Sequence, residues 1–206
     1  MNGRIVHLNI PISEEDVRSL RLDDVVYLTG TANTLFYDDH YRVIMEKIKA
    51  GESMPMQLAG GVVYHTGALY VKKPDGSCDI LAVGSTTSSK FNALTPEFIE
   101  LTGVRAIIGK GGMDRATLEA MKKYGCVYLA AAGGCSSIYA PKVTLAGEYW
   151  PELTPSYNQR LRLELNEFGP LLVAMDAHGG SIYEQCAQEI EKQVDAIYKR
   201  LNIVDQ

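Results

Sequence analysis

Residues 84–113 read GSTTSSKFNALTPEFIELTGVRAIIGKGGM. The stretch holds two polar, small-residue loops, Gly84-Ser85-Thr86-Thr87-Ser88-Ser89-Lys90 and Gly109-Lys110-Gly111-Gly112. Each directly follows an apolar run, Ile80–Val83 in one case and Val104–Ile108 in the other. Short apolar runs that end in glycine read as buried strands, and the loops at the ends of such strands are where open α/β sheets place ligands. The composition of the loops suits an anion. Glycine lets backbone approach a ligand closely, hydroxyls and backbone N–H groups donate hydrogen bonds, and Lys90 and Lys110 each add a compact positive charge. The plainer reading is a pair of strand-to-helix turns with solvated lysines.

Outward from this stretch the chain alternates strands and helices. A helix beginning near Thr95-Pro96-Glu97 joins the two loops, with proline at the first helical position. Arg115–Tyr124 forms a second helix, stopped by Gly125, and Cys126–Ala132 a buried strand that leads into a third small-residue loop, Gly133-Gly134-Cys135-Ser136-Ser137. Upstream, strands are expected at Arg4–Ile10, Val25–Leu28, Gly60–Gly67 and Ala68–Lys72, with Thr29–Thr34 as a loop and Lys73–Ser77 as a tight turn. Ser13 followed by Glu14, Glu15 and Asp16 is a helix N-cap with an acidic first turn. Tyr41, Ile44, Met45 and Ile48 space a helix over Tyr37–Ala50, which puts His40 near its start. A histidine beside Asp38 and Asp39 is more often a solvated or capping residue than a catalytic one.

Downstream, strands are expected at Lys142–Trp150, Arg160–Leu165 and Leu171–Met175, with an irregular segment to Tyr157. The loop Asp176-Ala177-His178-Gly179-Gly180 then precedes a long helix from Ser181 to Leu201. The stripe of that helix, Ile182, Cys186, Ile190, Val194, Ile197 and Leu201, reads as core.

A chain of 206 residues with no evident linker is expected to be a single domain spanning 1–206. Hydrophobic content of 46%, charged content of 22% and 19 glycines describe a globular protein. No run approaches the roughly 18 apolar residues of a membrane span. The start, MNGRIVHLNIPISEED, lacks a signal-peptide core, so a cytoplasmic protein is expected. Cys78, Cys126, Cys135 and Cys186 have no metal-ligand rhythm. A net charge of -5 argues against general nucleic-acid binding. Ile107–Gly112 contains the GxxG of a nucleic-acid clamp, but it follows a strand, its flanks are not basic and the chain is acidic. No phosphate-binding P-loop, dinucleotide fingerprint or G-x-S-x-G nucleophile elbow is present.

Five segments fall in the order of one family: Val26-Tyr27-Leu28-Thr29-Gly30-Thr31, Gly84–Ser88, Gly103-Val104 leading to Gly109–Met113, Gly133-Gly134-Cys135, and Glu167-Phe168-Gly169-Pro170 through Asp176–Gly179. The chain resembles the β subunit of the iron-sulfur class of fumarate and L-tartrate dehydratases, equivalent to the C-terminal domain of single-chain class I fumarases. The resemblance runs nearly end to end. It implies an α/β fold of the swivelling β/β/α type, a layered mixed sheet with helices. It also implies a partner α subunit, in a heterotetramer, that carries a four-iron, four-sulfur (4Fe-4S) cluster not held by this chain. The activity implied is hydro-lyase chemistry, in which water is eliminated from or added to a small hydroxycarboxylic acid. Catalytic roles fall by resemblance to Thr86, Thr87 and His40. Substrate-binding roles fall to Lys110, Lys90, Gly111, Ser85 and Tyr37. A threonine acts as a base only when a neighbouring group takes its proton.

Three departures stand out. The family's R-D-x-x-H becomes Phe36-Tyr37-Asp38-Asp39-His40, the arginine of T-T-S-x-R-M becomes Lys90, and a glutamate before the late strand aligns near Asn158. Arginine grips a carboxylate through two parallel hydrogen bonds, which neither phenylalanine nor lysine reproduces. Loss of such a contact in a dry site removes about 2 to 5 kcal/mol of binding. The expected substrate is therefore altered from fumarate or tartrate, or Lys90, His40 and Tyr37 rewire the site. The alternative is a non-catalytic small-anion-binding or regulatory module that kept the fold.

Overall fold

The computed structural model describes residues 3–151 and 159–201. Strand β2 (Val25–Thr34) is the element on which the sheet is assembled. Strand β1 (Ile5–Asn9) pairs in parallel with its first half and β3 (Val62–Tyr64) in parallel with its second. Along the opposite edge runs β9 (Arg160–Met175), antiparallel, from Val25↔Leu172 to Asn33↔Arg162. From β3 the sheet continues in parallel through β6 (Ala106–Gly109) to β7 (Val127–Ala130), and β7 pairs with the far end of β9. The strands β2, β3, β6, β7 and β9 thus form a closed circuit. Strand β8 (Val143–Tyr149) extends β9 as a flap, while β4 (Thr66–Lys72) and β5 (Cys78–Ser85) form a separate antiparallel hairpin.

Strand alternation divides the core in two. Val26, Leu28, Val62, Tyr64, Ala106, Ile108, Val127 and Leu129 pack into one cluster with Val17, Val83 and Phe168. Their sequence neighbours Val63, Ile107 and Tyr128 face the other way. There they meet helices α2 (Asp38–Lys49), α3 (Thr95–Thr102) and α4 (Arg115–Tyr124) through Tyr41, Ile44, Phe98, Ile99, Leu118 and Met121. Helix α1 (Glu14–Ser19) begins where the sequence places it, with Ser13 Oγ accepting from Asp16 N at 3.0 Å. Because β2, β3, β6 and β7 are parallel, the segments that leave their carboxyl ends gather on one side.

The architecture is a mixed α/β domain, as expected, but several local expectations change. Thr29–Thr34 is strand rather than loop, because both edges of β2 are occupied along it. Ile80–Val83 is not a buried strand: only Val83 is fully buried and Leu81 is 49% exposed, since β5 belongs to the hairpin and not to the parallel sheet. Arg160–Leu165 and Leu171–Met175 are one strand, continuous through Glu167 at φ 48° and Pro170. The stripe of α6 (Ile182–Arg200) is not core. Ile182 and Tyr183 are half-buried, but Cys186 is exposed, and Ile190 and Leu201 are 62% and 57% exposed. The irregular segment to Tyr157 and the position Asn158 lie outside the described residues.

Candidate active site

The sequence-predicted residues Ser85, Thr86, Thr87, Lys110 and Gly111 meet at the carboxyl ends of β5 and β6. After β5 the chain lies along the extension of β6, so that Thr87 and Lys110 form a parallel bridge. Two backbone bonds set that register: Lys110 N donates to Thr86 O at 3.3 Å, and Ser88 N donates to Lys110 O at 3.0 Å. Thr86, Thr87 and Lys110 are half-buried, whereas Gly111 is exposed and Ser85 is 9% exposed. The Ser85 hydroxyl turns inward to Tyr64 Oη at 3.1 Å. Burial raises the Tyr64 phenol to about 12 despite its hydrogen bonds to Ser85 and Thr66.

Gly111 and Gly112 hold φ of +81° and +74°, a left-handed pair that other residues adopt with strain. A side chain at Gly112 would also strike the Tyr183 ring, 2.5 Å from its Cβ position. The first turn of α6 therefore packs directly on the lysine loop. The loop after β7 closes the other side: a Cβ at Gly133 would lie 3.7 Å from Lys110 Cδ, and one at Gly84 would lie 3.4 Å from Ser136 Cβ in α5 (Ser136–Tyr139).

The start of α2 stands beside this group rather than within it. His40 is fully buried, its Nδ1 accepting from Phe36 N at 3.4 Å, under the rings of Phe36 and Tyr37. Tyr37 is 42% exposed, and Phe36 lies 3.5 Å from the Cβ position of Gly67, whose strand partner is Gly84. Lys90 is exposed on a 3-10 turn, Ser88–Phe91, and its ammonium makes no hydrogen bond or ion pair among the described residues.

Behind the threonines lies a buried polar chain that sequence reading did not single out. His65 Nε2 is 2.6 Å from Tyr41 Oη, His65 Nδ1 is 2.7 Å from Ser88 Oγ, and Tyr128 Oη donates to Ser88 Oγ at 2.9 Å. His65 and Ser88 have no exposure. Burial alone lowers the His65 pKa to about 3, so the ring is neutral, and burial raises the phenols of Tyr41 and Tyr128 above their usual range. The available signal was a histidine closing the otherwise apolar run Val62-Val63-Tyr64.

Chemically, the group offers two threonine hydroxyls, one ammonium and glycine backbone, from residues that are half-buried or, at Gly111, exposed. Among the described residues no cluster of three or more His, Cys, Asp or Glu side chains is placed to hold a metal ion. No described helix is long and apolar enough to cross a membrane.

The family described as "Fumarase C-terminus" matches residues 1–186. A putative L(+)-tartrate dehydratase subunit beta from Methanocaldococcus jannaschii is 40% identical over 192 residues, covering 93% of this chain and 94% of that protein. The L(+)-tartrate dehydratase subunit beta of Escherichia coli K12 is 33% identical, covering 94% of each. A putative class I fumarate hydratase from Geobacillus stearothermophilus is 34% identical over 92% of this chain and 35% of its own length.

Proposed function

The chain belongs to the fumarase C-terminus family, as a β subunit of the class I fumarate hydratase kind, and from that membership we propose that it is one half of a two-component hydro-lyase. The reaction is addition or elimination of water on a small hydroxycarboxylic acid, and the proposed fold label is the swivelling β/β/α domain, with residues 1–206 as one unit. The observation that carries this reading is the Thr87–Lys110 backbone bridge, which brings the half-buried threonine pair and the half-buried lysine together at the ends of β5 and β6.

In such a reaction a proton leaves the carbon next to a carboxylate, and negative charge builds on that carboxylate. Lys110 is the group proposed to hold it, because a fixed cation stabilises charge most where it develops. Thr86 and Thr87 orient the substrate, and Thr87 takes the proton only with help from an acceptor outside this chain. A 4Fe-4S cluster held by the α subunit, in a heterotetramer, is part of the proposal, and it would supply Lewis-acid activation of the departing hydroxyl. His40, being buried, acts on the reaction only if the partner rearranges Phe36 and Tyr37. With Phe36 and Lys90 at family arginine positions, a substrate less acidic than tartrate is expected.

The test is anaerobic affinity purification from native cells, followed by assay of hydroxy acids on whatever complex is recovered. A near-stoichiometric partner with an iron-sulfur chromophore supports the subunit reading. A colourless homo-oligomer from cells without such a partner favours the small-anion-binding module instead. In an active complex Lys110→Ala should reduce turnover at least about a hundredfold without loss of assembly; near wild-type turnover would displace Lys110 from the site.

A further inference from the structure

The two threonines and Lys110 come from segments more than twenty positions apart, yet their relative placement is set by a small closed ring of hydrogen bonds. His65 O accepts from Thr86 N at 2.6 Å, Thr86 O accepts from Lys110 N at 3.3 Å, and Lys110 O accepts from Ser88 N at 3.0 Å. The ring closes through side chains, where Ser88 Oγ lies 2.7 Å from His65 Nδ1. Thr87 is the residue enclosed between the two backbone links. His65 N also donates to Ile108 O at 2.8 Å, which ties the ring to the β3–β6 pairing.

From this we infer that His65 and Ser88 are positioning residues for the proposed reaction, fixing where the Thr86–Thr87 pair stands relative to Lys110. The inference rests on the function proposed above. Tyr41 and Tyr128 brace the pair from opposite sides, at 2.6 Å on His65 and 2.9 Å on Ser88. Ser88 also crosses the backbone of Gly109 so closely that a Cβ there would lie 1.9 Å from its Oγ and 2.9 Å from Tyr128 Oη. Only a glycine at 109 therefore leaves room for the Ser88 hydroxyl where it stands. A buried network of this kind holds a unique position more firmly than apolar packing does, because each group loses its partner if the loop moves.

Two measurements on the full-length chain test it. The first is amide hydrogen exchange, which needs neither substrate nor partner. In Ser88→Ala, exchange at Thr86, Ser88 and Lys110 should rise about tenfold or more while β2 and β9 keep wild-type rates; His65→Leu should do the same if it folds. Unchanged exchange at those amides, or an equal rise in β2 and β9, overturns the inference. The second uses the complex with its partner subunit, where Ser88→Ala should lower kcat about ten- to a hundredfold with KM nearly unchanged, the signature of misplaced groups. Wild-type kcat in Ser88→Ala overturns it. A wild-type complex with no hydro-lyase activity would instead refute the functional reading, and exchange alone would then decide whether the ring holds the loop.

Discussion

His65 is kept neutral by its surroundings, because removing the ring from water penalises the charged form and draws its pKa from 6.5 to about 3. In the unfolded chain the same ring binds a proton below pH 6.5. Acid therefore favours unfolding: the stabilisation is complete above that pH and is lost as pH falls towards 3. Between pH 6.5 and 5 the wild type should lose about 1.6 kcal/mol more than His65→Gln, the slope rising towards roughly 1.4 kcal/mol per pH unit. Urea denaturation at the two pH values checks this, and parallel losses would mean that His65 is not the titrating group. At this scale the sequence was partly legible. Thr86, Thr87 and Lys110 stood out because small polar loops after apolar runs have a local signature. Ser88 was read in the same loop but not as an inward hydrogen-bonding group, and His65 was read only as part of a strand. Their meaning depends on partners 23 and 40 positions away in sequence.

Helices illustrate the limit at the next scale. Asp114 caps α4 through Thr117 N at 2.9 Å and Gly125 ends it at φ +70°, features that neighbouring residues specify and the sequence displays. Helix α6 obeys the same local rules, with Ser181 accepting from Glu184 N at 3.4 Å. Its apolar stripe is correctly periodic and yet none of it is fully buried, Cys186, Ile190 and Leu201 being exposed and Ile182, Val194 and Ile197 half-buried, because period reports which residues share a face and not what covers it. Ile190→Ala should accordingly change the unfolding free energy of the isolated chain by less than about 0.5 kcal/mol, against roughly 2 to 5 for an isoleucine in a core. Chemical denaturation of the monomeric chain measures it. A loss in the core range would mean that the stripe is covered in solution. The misreading of Ile80–Val83 has the same origin: a short apolar run suits a sheet interior or a hairpin, and only pairing with β4 decides.

Across the whole molecule, β2 and β9 are the most heavily paired strands, each with partners on both edges. Opening either one breaks the circuit, whereas the second half of α6 opens without disturbing the core. Hydrogen exchange should show β2 and β9 among the slowest amides and α6 beyond Cys186 among the fastest, separated by roughly 5 kcal/mol of opening free energy. Uniform protection along α6 would contradict this. The sequence by itself determined the succession of strands and helices, the loops bearing Ser85–Lys90 and Lys110, and membership of a family. All of these are written in local periodicity and short motifs. Only the tertiary structure decided that β9 is one strand closing the sheet, that His65 and Ser88 complete a ring behind the threonines, and that α6 leaves its stripe outside the fully buried core. Those outcomes depend on which edges and faces meet. Many distant pairings satisfy one local pattern, and the choice among them is made by the summed burial and hydrogen bonding of the whole chain.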